Sequence, residues 1–317
     1  MSDARYYALV LSATLGMDAN AQAFPTRPIR MITPTAAGSG ADVVARIISG
    51  KLSEALGKQV VVDNRAGAAG MLAAELVSRA QPDGYTLGMT TLTQLLGTVL
   101  YQRFPMDKDF LPVSRVGSTP FVIVTSPTLP VKTIPELIAY AKARPGLVLY
   151  ASGGQGSTPH LCTEMFNSMA GVSLTHVPYK SSILAVTDLG SGQVHVLCSA
   201  LPTLHATLQS AKARALGVSS RHPSKLAPGM PTIASSLPGF EMDGWYGVVA
   251  PLATPKEIVA KLNTVFAQVL NQPDVQERLL SVGAEALPST PADFGAFLKS
   301  EMERWSRVIK NAGIKPQ

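Results

Sequence analysis

Short apolar runs alternate with stretches whose apolar residues recur at three- and four-residue steps. Ile29 to Thr33 predicts a strand, and it runs into a loop rich in small residues. From Asp42 to Leu56, Val43, Val44, Ile47, Ile48, Leu52, Ala55 and Leu56 fall on one helical face, with Gly57 as the stop. The pattern continues with a strand over 59–63, a small-residue helix over 67–80 and a strand over 85–89. It then restarts with strands over 121–125 and 147–151 on either side of a helix over 134–142 that opens with Pro135. A helix from about His160 follows, then strands over 174–177, 194–199 and 214–219. Helices over 255–270, 275–282 and 291–312 close the chain. The last carries Phe294, Phe297, Leu298, Met302, Trp305, Val308 and Ile309 on one face.

Strands alternating with helices predict an α/β fold with mostly parallel strands. Each set of strands can form its own sheet, so the economical architecture is a two-lobe, periplasmic-binding-protein (type II-like) fold. Its hinge would be two crossing segments, 120–125 and 245–250, both apolar and flanked by prolines. On this reading the first lobe comprises 24–122 and 248–317, and the second comprises 123–247.

Composition adds three constraints. The 317 residues are 46% hydrophobic and only 15% charged, with 26 glycines and 24 prolines; that is globular composition with many punctuated connections. Aromatic residues make up only 6%, too few for binding nucleic acid by stacking, and no nucleic-acid partner is expected. Arg5, the apolar run 6–17 and Ala21-Gln22-Ala23 read in that order as a signal peptide over 1–23, too short to span a bilayer. Its removal would take Asp3, Arg5 and Asp18 and raise the formal net charge from +6 to +7. A basic exported protein suits anionic partners.

Cys162 and Cys198 stand 36 positions apart, on a predicted helix and a predicted strand. Either two buried thiols or a disulfide fits, and free thiols are favoured because a chain this large needs no staple. No cysteine–histidine cluster has zinc spacing, and neither metal nor cofactor is expected.

Two loops leave strand ends and enter helices, one in each lobe: Thr35 to Asp42, and Ser152 to His160. Small residues leave their backbone N–H groups bare, and a helix N-terminus adds unpaired donors with partial positive charge, which suits a carboxylate. Gly38-Ser39-Gly40 meets Val43 where a dinucleotide fingerprint needs its third glycine, and neither loop carries the Lys-Ser or Lys-Thr of a phosphate loop. Ser157 with His160 could be a hydrolase pair, but the Gly-x-Ser-x-Gly elbow is missing. Asp42, at a helix start, is a candidate both for the cap and for ligand contact.

The loop Pro34 to Asp42, of pattern Pro-x-Ala-Ala-Gly-x-Gly-x-Asp, resembles that of the Bug receptors. These are the periplasmic solute-binding proteins associated with tripartite tricarboxylate transporters. Asp63 to Gly70, Pro82 to Leu87, Tyr150-Ala151-Ser152 with Gly156, Ser157 and His160, and His176 to Lys180 continue the likeness. So do Asp188-Leu189, Gly192-Gln193-Val194 and the tail from Trp305 to Lys315, and the similarity covers nearly everything after Phe24. The resemblance implies a non-enzymatic, monomeric receptor that closes on a di- or tricarboxylate, an amino acid or an aromatic acid. It also implies integral-membrane transporter subunits as partners; the alternative is a sensor without its own transporter. Carried over, the ligand contacts are Thr35, Ala36, Ala37, Gly38, Ser39 and Asp42 from the first lobe, and Ser152, Gly156, Ser157, His160, Tyr179 and Lys180 from the second. Thr35 departs from the family's common Phe, Ser181 from its Gly, and Ser199-Ala200 from its Asp-Asn. The usual Pro near Leu184 is missing, and Thr90 to Gln94 departs from the usual loop. Thr90 is accordingly expected to border the pocket.

Overall fold

A computed structural model describes residues 24–311; the signal-peptide reading of 1–23 and the last residue of the 291–312 helix reading lie outside them. In chain order the elements of the first half are β1 (Ile29–Thr33), α1 (Gly40–Leu56), β2 (Val60–Asn64), α2 (Met71–Ser78), β3 (Thr86–Thr91), α3 (Leu92–Tyr101), β4 (Phe110–Thr125), α4 (Ile134–Lys142) and β5 (Leu149–Ser152). The second half adds α5 (Thr158–Ala170), β6 (Thr175–Pro178), α6 (Ser182–Ser191), β7 (Val196–Ala200), α7 (Leu201–Gln209), β8 (Arg214–Val218), β9 (Asp243–Pro251), α8 (Lys256–Leu270), α9 (Pro273–Ser281), β10 (Glu285–Ala286) and α10 (Pro291–Asn311).

These elements build the expected two-lobe α/β receptor fold. In the first lobe the strand order is β2-β1-β3-β9-β4, parallel through β3 and antiparallel beyond it. In the second it is β6-β5-β7-β4, with β8 on the other side of β4. β4 belongs to both sheets. Phe110 to Pro120 pair with β9, whereas Phe121 to Thr125 pair with β7 and β8. Pro120 has no N–H for a ladder and stands where the partners change. The returning chain bonds Met242 N–H to the Ser219 carbonyl, and from Asp243 onward β9 pairs with β4 and then β3 of the first lobe.

Apolar periodicity explains the packing. Val44, Ile47, Ile48 and Leu52 of α1 are buried with Ile29 and Met31 of β1 and with Val259, Leu262 and Phe266 of α8. In the second lobe Tyr150, Phe166 and Leu216 form a comparable core. On α10, Phe294, Leu298, Trp305 and Ile309 are buried as predicted, while Val308 faces outward at 38% exposure. Glu301 lies buried between two indoles and accepts hydrogen bonds from Trp245 and Trp305, both at 3.1 Å.

Four features correct the sequence reading. The strands are not mostly parallel: four of the described strand pairings are parallel and five, all involving β4 or β9, are antiparallel. The helix expected over 67–80 is broken: a 3-10 turn at Ala68–Gly70 precedes α2, with Ala69 at φ 52° and Gly70 at φ 87°, left-handed values that an α-helix excludes. Three helices, α3, α6 and α7, had no counterpart in the pattern. α3 buries nearly every residue, so no polar face marks its period. Finally, Cys162 and Cys198 form a disulfide between α5 and β7 rather than two free thiols. Their Cα atoms are 6.2 Å apart, a span that sequence separation does not encode.

Candidate functional site

The site is made of helix beginnings. α1, α3, α5, α6 and α7 all direct their first turns into one crevice between the lobes, lined by residues 39–41, 91–93, 158–159, 182, 199, 200 and 203. Trp245, Tyr246 and Phe121, from the two crossing strands, form its hinge-side wall. Its volume is about 60 Å³. A second space of about 50 Å³ shares Thr35, Thr93, Pro159 and Ser182 with the first and reaches past Gly67, Gly70 and Ser157 to Lys180.

Side chains that would ordinarily cap these helices are turned elsewhere. Ser39 Oγ donates to the Ala36 carbonyl (2.5 Å) and lies 2.6 Å from Thr35 Oγ1, leaving the first turn of α1 without a side-chain cap. Ser157, Ser181 and Ala200 likewise provide no side-chain cap for α5, α6 and α7. Only α3 is capped, by Thr91, which accepts from the Gln94 N–H. Bare N–H groups and aligned peptide dipoles thus give the crevice a positive potential without a cationic side chain.

Two of these donors already reach across the cleft. The Gly40 N–H donates to Thr203 Oγ1 at 2.7 Å, and the Thr158 N–H donates to Thr93 Oγ1 at 3.3 Å. A Cβ on Gly40 would stand 2.6 Å from the Tyr246 hydroxyl, so only glycine permits this approach. The Tyr246 hydroxyl itself is buried and has no hydrogen-bond partner, and burial pushes its ionisation upward.

The sequence-predicted residues divide into three groups. Thr35 and Ser39 line the inner crevice, and Ser157 and Lys180 line the outer space. Ala36, Ala37 and Gly38 line neither space; Ala36 is half-buried and the other two are exposed, and a Cβ on Gly38, at φ 80°, would stand 3.6 Å from Ile183 of the other lobe. Gly156 faces the first lobe, where a Cβ on it would stand 2.6 Å from Leu100, and the side chains of the others bond within their own lobes. Asp42 accepts from the Gly38 N–H (2.8 Å), Arg46 Nε (2.9 Å) and Asn64 Nδ2 (2.9 Å). Burial alone would raise its pKa, but these three donors outweigh burial and hold the carboxyl below the usual carboxylate range. Thr90 is fully buried with its hydroxyl on Met106 Sδ. Tyr179 donates to Asp188 at 2.6 Å; burial and then that bond push its phenol up to about 12. Ser157 donates to the Gly154 carbonyl at 2.6 Å, and His160 Nδ1 accepts the Gly156 N–H at 3.3 Å. The hydroxyl and the imidazole are engaged separately, so no nucleophile–base pair is formed between them.

The site residue that sequence reasoning missed outright is Thr203 of α7; Thr93 of α3 and Ser199 of β7 stand out in the sequence only as departures from the family pattern, not as contacts. One signal was available: Pro202, directly after the strand run, is a helix-opening residue.

Behind the second loop, Ser152 Oγ lies 2.6 Å from His176 Nε2, and the rings of His160 and His176 are 4.4 Å apart. Burial pushes both histidines down to about 4, and His160 further lowers His176. The unfolded chain takes up these protons near pH 6.5 and the folded chain resists until about 4, so stability falls as pH drops through that window. The expected loss at pH 5 is about 2 kcal/mol for His160 and less for the more exposed His176. The melting temperature should therefore fall between pH 7.5 and pH 5. A His160→Asn variant, which keeps an acceptor for Gly156 but cannot take the proton, should show a flatter profile. Equal pH profiles for the two proteins would refute this origin.

Residues 44–314 match the family model described as the tripartite tricarboxylate transporter family receptor. The chain belongs to that receptor family. A relative from Pseudomonas sp. strain P51, the UPF0065 protein in the tcbD–tcbE intergenic region, is 39% identical over 90% of this chain and 87% of its own. Among solved structures, R. palustris Rpa4515 with adipate has a TM-score of 0.89 and 36% identity, covering 93% of this chain and all of that one. The periplasmic binding protein BugD has a TM-score of 0.87 and 33% identity, with 93% of this chain and all of BugD covered. As a member of this receptor family, the chain has the fold and family that its loop motifs suggested.

Proposed function

We propose that this protein is a periplasmic receptor that captures a small carboxylate between its lobes and delivers it to the membrane subunits of a tripartite transporter. One observation carries the reading: four helix N-termini without side-chain caps converge, from both lobes, on a crevice that also holds a buried, unpartnered tyrosine hydroxyl. A carboxylate there accepts from the free N–H groups and from Tyr246 without needing a cation, as at other helix N-terminal anion sites. The adipate named with the Rpa4515 structure is a carboxylate of the same chemistry. The lobes close about two crossings, one within β4 and one ahead of β9. Ala36 to Gly38 then form a rim over the bound acid. Binding is the whole task, and no side chain is assigned to chemistry on the ligand.

The test is thermal. Purified protein, freed of bound solute by unfolding and refolding, is melted with adipate, malate, succinate, benzoate or 3-phenylpropanoate. A ligand present at a hundred times its Kd adds about 2.7 kcal/mol, a readily measured rise in melting temperature. No shift with any of these acids would overturn the proposal.

A further inference from the structure

We infer that the crevice selects carboxylates that carry no ammonium group, so the solute is a plain, hydroxy or keto acid and not an amino acid. The inference rests on the carboxylate reading above and narrows it. The lining of the inner crevice consists of hydroxyls, backbone and a few apolar side chains, and among the described residues none that line it is acidic. Ser199, the β7 residue that faces this space, is neutral and buried. Asp42, the carboxylate nearest in sequence to the first loop, is saturated by Gly38, Arg46 and Asn64.

The field works in the same direction. Helix N-termini that attract a carboxylate repel a cation placed among them, since the partial charge at each is positive. The N–H groups of the crevice are of no use to an ammonium, which only donates; hydroxyl oxygens can accept from it, but they carry no charge to offset its own. An ammonium taken from water into such a space loses its hydration and finds no anion in return. A hydroxyl or keto oxygen on the ligand meets no such penalty. Thr93, Thr203 and Ser199 carry hydroxyls that can turn to donate or accept.

Matched pairs isolate the amino group. Titration calorimetry on ligand-free protein compares succinate with aspartate, glutarate with glutamate, and 3-phenylpropanoate with phenylalanine. In every pair that binds, the acid lacking nitrogen should bind more tightly by at least roughly tenfold. A Ser199→Asp variant supplies the missing anion and should reduce that ratio by about the same factor, with folding checked by its melting curve. An amino acid that binds as tightly as its partner, or an unchanged ratio in folded Ser199→Asp, overturns the inference and leaves the carboxylate receptor intact. Silence from all six compounds and from adipate, malate and benzoate, by contrast, brings down the carboxylate reading itself.

Discussion

Replacing Tyr246 by phenylalanine should weaken carboxylate binding by roughly 10- to 100-fold while leaving the ligand-free protein as stable as before, or more stable. The two effects have opposite signs because the hydroxyl is an orphan. Without ligand it is buried with no partner, and an unsatisfied buried hydroxyl costs about 1–3 kcal/mol. Phenylalanine removes the group that bears this cost and keeps the ring, so strand β9 and its pairing with Thr91 and Gly117 need not change. With ligand the same hydroxyl donates to a carboxylate oxygen, a bond to a charged group worth about 1.5–3 kcal/mol. At about 1.4 kcal/mol per tenfold, its loss gives the stated range. Calorimetric affinity and melting temperature, measured on the same samples, decide the matter. A variant that binds as well as the parent would show that Tyr246 does not face the solute. One that melts well below the parent would show that its hydroxyl has a structural partner.

Tyr246 also marks the limit of what the chain reveals before it folds. Strand and helix periods, the two glycine loops and the family motifs were sufficient for the α/β class, the two lobes and the placement of Thr35 and Ser39 in the crevice lining. They pointed to the right loops but not to the right atoms. Asp42, Ser152, Gly156 and His160 sit in those loops, yet their polar groups bond within their own lobe. Sequence proximity to a bare helix start does not say which way a side chain turns. The missing half of the crevice came from α3 and α7, whose starts follow directly on β3 and β7 without a glycine-rich loop. Thr93 and Thr203 are ordinary residues locally; they become site residues because β4 crosses between sheets and brings both helix ends to one point. That information is long-range, and periodicity carries only short-range order.

Removing the Cys162–Cys198 bond with a Cys162→Ala/Cys198→Ala pair should cost about 3–4 kcal/mol, and the melting temperature should fall by roughly 5–7 °C. The chain-entropy estimate depends on the closed loop, whose ends are 36 positions apart. Both sulfurs are fully buried in the second-lobe core, so the paired alanines also forfeit some packing, within the same range. The native protein should yield no reaction with a thiol reagent, and two thiols per chain should appear only after reduction of unfolded protein. Thiols titrating in unfolded protein without reductant would refute the pairing. The bond has a consequence for the crevice as well. α5 contributes Thr158 and Pro159 to its lining and β7 contributes Ser199 and Ala200, so the disulfide ties together two walls of the crevice. The alanine pair should therefore lose carboxylate affinity beyond any change seen on mutating a remote core position of equal cost. The same bond links stability to compartment, because disulfides persist in oxidising surroundings and not in the reducing cytoplasm. Protein kept reduced during synthesis should melt like the alanine pair, and oxidation after refolding should restore both the melting temperature and the affinity.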